Sequence, residues 1–331
     1  MSYTDLIGNK SDLCSTLIQA LNFLKQKQSL QEGEIRFPAC LLEKNATSVI
    51  PIPSRLFYSF AESVDGYHNQ RKKSNLEVES LLLRDFISSK NKHLRNKHLH
   101  IIDVGGGDGV RGYHIAKMLQ SFSIKIQYYC IDGSKTMIDK SCALFKSHNI
   151  PWIGYRSRFE DFANIKIKRA KDDIFLILFL DNYLNYTPQD VKNILSHSTL
   201  TVNDIIIVGT KTPDTTVDSA FLIQEFIKYS DDKMRMGVFK ELGFKRNDLL
   251  DFMVFNEKNS QIEIYTAIKS TSNMVTGLLL ECGDIFLSNV ARRPTQKLFV
   301  SELEAFYSVR ALHNKNIDRY QTIAICTKKR A

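Results

Sequence analysis

The run Ile101-Ile102-Asp103-Val104-Gly105-Gly106-Gly107-Asp108-Gly109 constrains this chain more than any other stretch. It reads as a short buried strand that closes on an acid and enters a glycine-rich turn, after which Val110, Ile115, Met118 and Leu119 mark the apolar side of a helix. Strand, turn and helix together make a nucleotide-binding crossover. Glycine lets the backbone approach a ligand where a Cβ would collide, and the helix start presents unpaired N–H groups to it.

From His100 onward the α/β alternation is regular. Strands are expected near 126–131, 153–156, 174–180 and 205–208, with helices from about Lys135 to Ser147 and from Thr187-Pro188-Gln189-Asp190. Ile174 to Leu180 is unbroken apolar, as a strand of a parallel sheet covered on both faces requires. Ligands of such sheets bind outside the carboxyl ends of the strands, which selects the functional candidates. Asp132 follows the second strand, where it can take both ribose hydroxyls of a nucleoside or serve as a helix N-cap. Glu160-Asp161-Phe162 follows the third.

Before this region, Ser11 can cap a helix carrying Leu13, Leu17, Leu21 and Leu24, and Ser74 with Glu77 forms a capping box for another. After Val208 the pattern changes: helices at 219–228 and 234–242, alternating strands at 252–255 and 262–268, and a β-like stretch at 274–280. Two closing strands follow at 307–312 and 322–326. This organisation predicts a helical N-terminal cap at 1–96, a Rossmann-like domain at 97–215 plus 300–331, and an α+β insert at 216–299 that reads a substrate.

Composition narrows the function classes. With 331 residues and 43% hydrophobic content the chain can bury a full core. The longest uninterrupted apolar run is too short to cross a bilayer, and the N-terminus has neither a charged-then-apolar leader nor a cleavage site, so a soluble cytoplasmic protein with no membrane partner is expected. Six scattered cysteines without a C-x-x-C pair indicate free thiols, and no His and carboxylate cluster shows ligand spacing, so no metal is expected. The net charge of +9 raises nucleic acid as a secondary partner, but the basic runs at 90–100 and 166–171 read as solvated connections.

Two ligand classes use a glycine turn of this kind. Gly107-Asp108-Gly109-Val110-Arg111-Gly112 fits the G-x-G-x-x-G dinucleotide register, with Asp132 placed as its ribose acid. Dinucleotide turns, however, start their glycines at the strand end, whereas Asp103 closes the strand here, and Asp103 and Asp108 are poor neighbours for a pyrophosphate. Strand-Asp-x-Gly-x-Gly-x-Gly resembles the cofactor signature of class I S-adenosylmethionine-dependent methyltransferases. The resemblance implies that Asp103 orients the loop and the methionine ammonium and that Gly105, Gly107 and Gly109 make room for the sulfonium ligand. It further implies that Asp132 binds the ribose and that Asp161 and Phe162 flank the adenine.

Several further pieces are similar, in order, to the histidine-specific Nα-methyltransferases of ergothioneine biosynthesis and their relatives acting on other amino acids. They are Tyr67-His68-Asn69-Gln70-Arg71, Leu184-Asn185-Tyr186-Thr187-Pro188, Tyr229 with Asp231 and Asp232, and Glu241-Leu242-Gly243-Phe244 with the insert beyond it. The resemblance covers about residues 60 to 295. It implies that Asn185 and Tyr229, with Tyr67, hold the amine and carboxylate of the methyl acceptor. Where that family reads imidazole with a glutamate and a serine, this chain offers Asn289 and Ala291, with Arg293 for a following lysine, which departs from a histidine reader. The implied activity is N-methylation of an amino acid or related small amine; an RNA or protein methyltransferase and a non-catalytic cofactor-binding module are the alternatives.

Overall fold

In the computed structural model, residues 2–5, 49–51, 76–157, 159–180, 188–196, 200–212, 219–229, 232–257, 260–269, 273–275, 278–280, 284–314 and 321–329 are described. In chain order the strands are β1 (Ser2–Asp5), β2 (Val49–Pro51), β3 (His98–Val104), β4 (Lys125–Asp132), β5 (Trp152–Arg156), β6 (Ile174–Leu180), β7 (Ile205–Thr210), β8 (Leu249–Asn256), β9 (Gln261–Ile268), β10 (Asn273–Val275), β11 (Leu278–Leu280), β12 (Ile285–Arg292), β13 (Tyr307–Asn314) and β14 (Gln321–Lys328). The helices are α1 (Leu76–Leu94), α2 (Val110–Ser121), α3 (Lys135–Ser147), α4 (Pro188–Leu195), α5 (Ser219–Tyr229), α6 (Asp232–Glu241) and α7 (Gln296–Glu304). They divide between two compact units, Met1–Ile7 with Lys73–Asp218 and Arg292–Ala331, and Gly8–Lys72 with Ser219–Ala291.

The first unit is built on an eight-stranded mixed sheet in the order β1-β5-β4-β3-β6-β7-β14-β13. The six strands from β1 to β7 in that order run parallel. β14 enters antiparallel to β7 and pairs with β13 as an antiparallel hairpin. Period-two alternation sorts the side chains between two cores. Leu99, Ile101, Tyr128 and Cys130 face one apolar layer with Leu83, Phe86, Ile115, Leu119 and Phe145 of α1, α2 and α3. Ile102, Val104, Tyr129 and Ile131 face the other, with Val191 and Ile194 of α4 and Phe299 and Leu303 of α7. β6 contributes alternate residues to both layers, which explains its unbroken apolar sequence.

The second unit holds a four-stranded sheet, β2-β12-β9-β8, with β8 and β9 as an antiparallel hairpin and the short hairpin β10-β11 separate from it. Phe239 of α6 packs edge-on against Phe286 of β12, ring centroids 5.4 Å apart. A polar knot sits within the hairpin: buried Glu263 accepts from the Asn256 and Gln261 amides at 2.9 and 2.6 Å and from the Tyr265 hydroxyl at 2.6 Å.

Expected and observed elements agree closely between 98 and 268. The expected helix at 11–24 and the capping residue Ser74 lie outside the described residues. The β-like stretch at 274–280 forms two three-residue strands, β10 and β11, paired antiparallel. β1, β2, β12 and α7 were not anticipated. The first two are too short to carry a period, and β12 interrupts its apolar pattern with Ser288 and Asn289.

Candidate functional site

The glycine turn is held over the carboxyl ends of β3 and β4 by its own backbone. The N–H groups of Gly105 and Gly106 donate to the Ile131 carbonyl at 2.8 and 3.4 Å, and Gly109 N–H donates to the Gly106 carbonyl at 3.0 Å. Gly105, Gly107 and Gly109 have φ of 76°, 57° and 77°, the left-handed region that L residues enter only at a cost of about 1–2 kcal/mol each. Alternate glycines are therefore a conformational demand of the turn. Gly109 leads into α2 without a side-chain cap, while Asp108 Oδ1 accepts from the Val110 N–H at 3.2 Å.

Two carboxylates lie against the turn. Asp132 Oδ2 accepts from Gly107 N–H at 3.0 Å and its Oδ1 accepts from Ser134 N–H at 2.8 Å. Asp132 is not the N-cap of α3; Ser134 is, its hydroxyl accepting from Met137 N–H at 3.4 Å. Beneath the turn, buried Asp103 accepts from the Tyr128 hydroxyl at 2.6 Å through Oδ2. Gly112 of α2 lies against this pair: a Cβ there would collide with the Tyr128 ring and hydroxyl and come within 2.7 Å of Asp103 Oδ2. Cys130 lies below as well, Sγ 3.9 Å from the Gly107 carbonyl. Burial, then the carboxylates of Asp132, Asp103 and Asp108, push its thiol well above the ordinary range, so it stays a neutral S–H.

Asp103, Asp108 and Asp132 are all buried within this turn. Beside Asp132 the ground is open, since a Cβ on Gly133 would meet only the Ser157 carbonyl at 3.9 Å. The residues therefore fit a ligand that carries hydroxyls for an oriented carboxylate and a positive rather than a strongly negative centre. An S-adenosyl sulfonium answers that description better than a pyrophosphate.

The remaining expected site residues are placed as follows. Asp161 is exposed in a 3₁₀ turn, Phe159–Asn164, after β5. Phe162 is wholly buried in the α4 and α7 core layer and keeps no surface for a ligand, because the turn points it inward as a core residue. Tyr229 ends α5 in the second unit, and Asn289 lies half-buried on β12 of that unit. Arg293 belongs to the first unit, buried, with Nη1 donating to the Arg292 carbonyl at 2.9 Å. Tyr67 and Asn185 lie outside the described residues. Sequence reasoning missed Tyr128, Cys130 and Ser134. The alternation of Tyr128 with Cys130 toward the face carrying Gly112 was the signal available for the first two.

No family model matches the chain, and no curated protein matches it. Among solved structures it is similar to an S-adenosylmethionine-dependent methyltransferase from Clostridium acetobutylicum, at 12% identity and TM-score 0.41, covering 78% of this chain and 94% of that one. It is also similar to the plantazolicin methyltransferase BpumL in complex with SAH (13% identity, TM-score 0.40, 83% and 94% covered). A third is the S-adenosylmethionine-dependent methyltransferase SibL in its apo form (11%, 0.45, 96% and 70%). Likenesses of this size carry no argument about activity.

Proposed function

We propose that this protein is an S-adenosylmethionine-dependent N-methyltransferase whose acceptor is an amino acid or related small amine. The observation that carries the reading is the link from Asp132 Oδ2 to Gly107 N–H, which sets a carboxylate and a Cβ-free turn together at the carboxyl edge of β3 and β4. The strand order supports it. The parallel strands β5-β4-β3-β6-β7, followed by the antiparallel pair β14-β13, form the sheet that a class I methyltransferase resemblance implies.

Gly105, Gly107 and Asp132 would hold the cofactor, with exposed Asp161 reaching an adenine amino group. When bound, S-adenosylmethionine supplies a methyl carbon already activated by its sulfonium. The chain's own task is to present a neutral amine in line with that carbon. Positioning of this kind is worth up to about 7–11 kcal/mol, so no strong base is needed. Asparagine and tyrosine suit the acceptor site because they hydrogen-bond a carboxylate or a neutral amine without adding charge. By the family resemblance, Asn185, Tyr229 and Tyr67 take these roles, while Asn289 and Arg293 read the acceptor's side chain.

The test is methyl transfer from S-adenosylmethionine to a panel of free amino acids and small amines, followed by mass spectrometry. One added methyl on a panel member, lost in Asn185→Ala, is the expected result. Transfer to RNA with steep salt dependence, or cofactor binding with no turnover on any acceptor, would replace this reading with one of its alternatives.

A further inference from the structure

At the amino-terminal edge of the same sheet, His98 and His100 occupy alternate positions of β3 and share one face. Asp173 stands just before β6, whose Ile174 registers with Leu99, so the pairing of the two strands brings its carboxylate to the same face. His100 Nε2 is 3.0 Å from Asp173 Oδ2 and His98 Nδ1 is 3.7 Å from Oδ1, and one ligand atom from each residue lies within 4.8 Å of the others. We propose that His98, His100 and Asp173 form a binding site for a divalent zinc-type ion that clamps β3 to β6.

Two features point to a ligand rather than to a plain ion pair. His100 is only 5% exposed, and its Nε2 stands 3.0 Å from Asp173 Oδ2 with the oxygen off the line that a ring N–H would favour. Two ligands of one tetrahedral ion stand in this relation, about 3.3 Å apart and each aimed at the metal instead of at the other. The other ring nitrogen, Nδ1, is 3.0 Å from the Tyr129 hydroxyl; in the tautomer in which Nδ1–H donates to that hydroxyl, Nε2 offers its lone pair to a metal.

The surroundings agree with this. The Ala170 N–H donates to Asp173 Oδ2 at 2.7 Å and orients the carboxylate. The neighbouring cations are engaged elsewhere, Arg169 with Asp204 at 2.6 Å and Lys97 with Asp172 at 2.6 Å. His98, with 43% of its side chain exposed, gives an ion access from solvent. Two nitrogens and one carboxylate oxygen suit zinc better than magnesium or calcium, with water completing the tetrahedron. Six residue steps along β3, about 20 Å, separate His98 from Val104 and the glycine turn, so the ion is structural. The sequence concealed it because the third ligand comes from another strand.

The experiment is titration of Zn²⁺ into chelator-stripped full-length protein, with a thermal melt and zinc X-ray absorption on the loaded sample. His98→Ala, at an exposed position, tests the site with least risk to the fold; His100→Gln is the second variant. One ion bound through two imidazoles and oxygen is expected, with a raised melting temperature and at least about tenfold weaker binding in His98→Ala. Unchanged affinity in His98→Ala, sulfur in the coordination shell, or no binding by the wild type would overturn the proposal.

Discussion

Asp132 Oδ2 accepts a hydrogen bond from the backbone N–H of Gly107 at 3.0 Å, while Oδ1 of the same carboxylate accepts from Ser134 N–H. One side chain at the end of β4 thus sets both the glycine turn of β3 and the start of α3. Leaving buried donors unmet costs about 1–3 kcal/mol each. Asp132→Ala is therefore expected to lower stability by about that amount or more in urea denaturation, and Asp132→Asn, which keeps one of the two acceptor oxygens, to lose less. Equal losses would mean that the carboxylate's acceptor role is not what holds the turn.

Gly112→Ala tests the packing beneath the turn. Its Cβ would run into Tyr128 and press on Asp103, in a helix where alanine is otherwise preferred. A loss of about 1–3 kcal/mol is expected in place of the usual gain of up to about 1. A stabilised variant would contradict the close approach.

Asp204 is 2% exposed and accepts from both Arg169 Nη groups at 2.6 and 2.8 Å, from Phe175 N–H at 2.8 Å and from Thr201 N–H at 2.6 Å. Breaking a buried pair of this kind by removing one partner costs about 3–5 kcal/mol. Asp204→Ala should approach that range in equilibrium unfolding; a loss below about 1 kcal/mol would show that the pair is effectively solvated.

How far the sequence carried these conclusions depends on where each contact comes from. The turn at 103–112 and β6 were legible because glycine conformation and apolar runs are local properties; α3 was placed as well, although its N-cap, Ser134, was missed. The roles of Tyr128 under Asp103 and of Asn256 on Glu263 were not, since each depends on cross-strand register. Phe162 shows the limit of motif reading: an apolar residue next to an acid looks the same whether it lines a ligand or fills a core, and here it fills the core. His98 and His100 were read as part of a basic run, because nothing local announces Asp173 beside them.

Two groups on the closing hairpin contribute to the alkaline limb of stability, beside Cys130, Tyr129, Tyr155 and Tyr265, which burial raises as well. Burial pushes the Cys326 thiol up to about 12 from an ordinary value of 9.0. Burial, then Cys326, pushes the Tyr307 phenol up to about 12 from 10.0. Because the folded values are raised, their stabilisation is complete below pH 9 and is lost as pH climbs through 12. Melting temperature should fall across that window, and Cys326→Ala should flatten the fall; an unchanged slope would remove Cys326 as its source.

The central claim is tested most directly by calorimetric titration of S-adenosylmethionine and S-adenosylhomocysteine into the wild type and Asp132→Ala, with Val202→Ala, exposed just before β7 at the amino-terminal edge of the sheet, as a control. The account predicts that both ligands bind the wild type and the control, and that Asp132→Ala weakens both at least about tenfold while still melting cooperatively, a difference of about 1.4 kcal/mol. Binding of NAD or NADP instead, with no response to either S-adenosyl ligand, would contradict it.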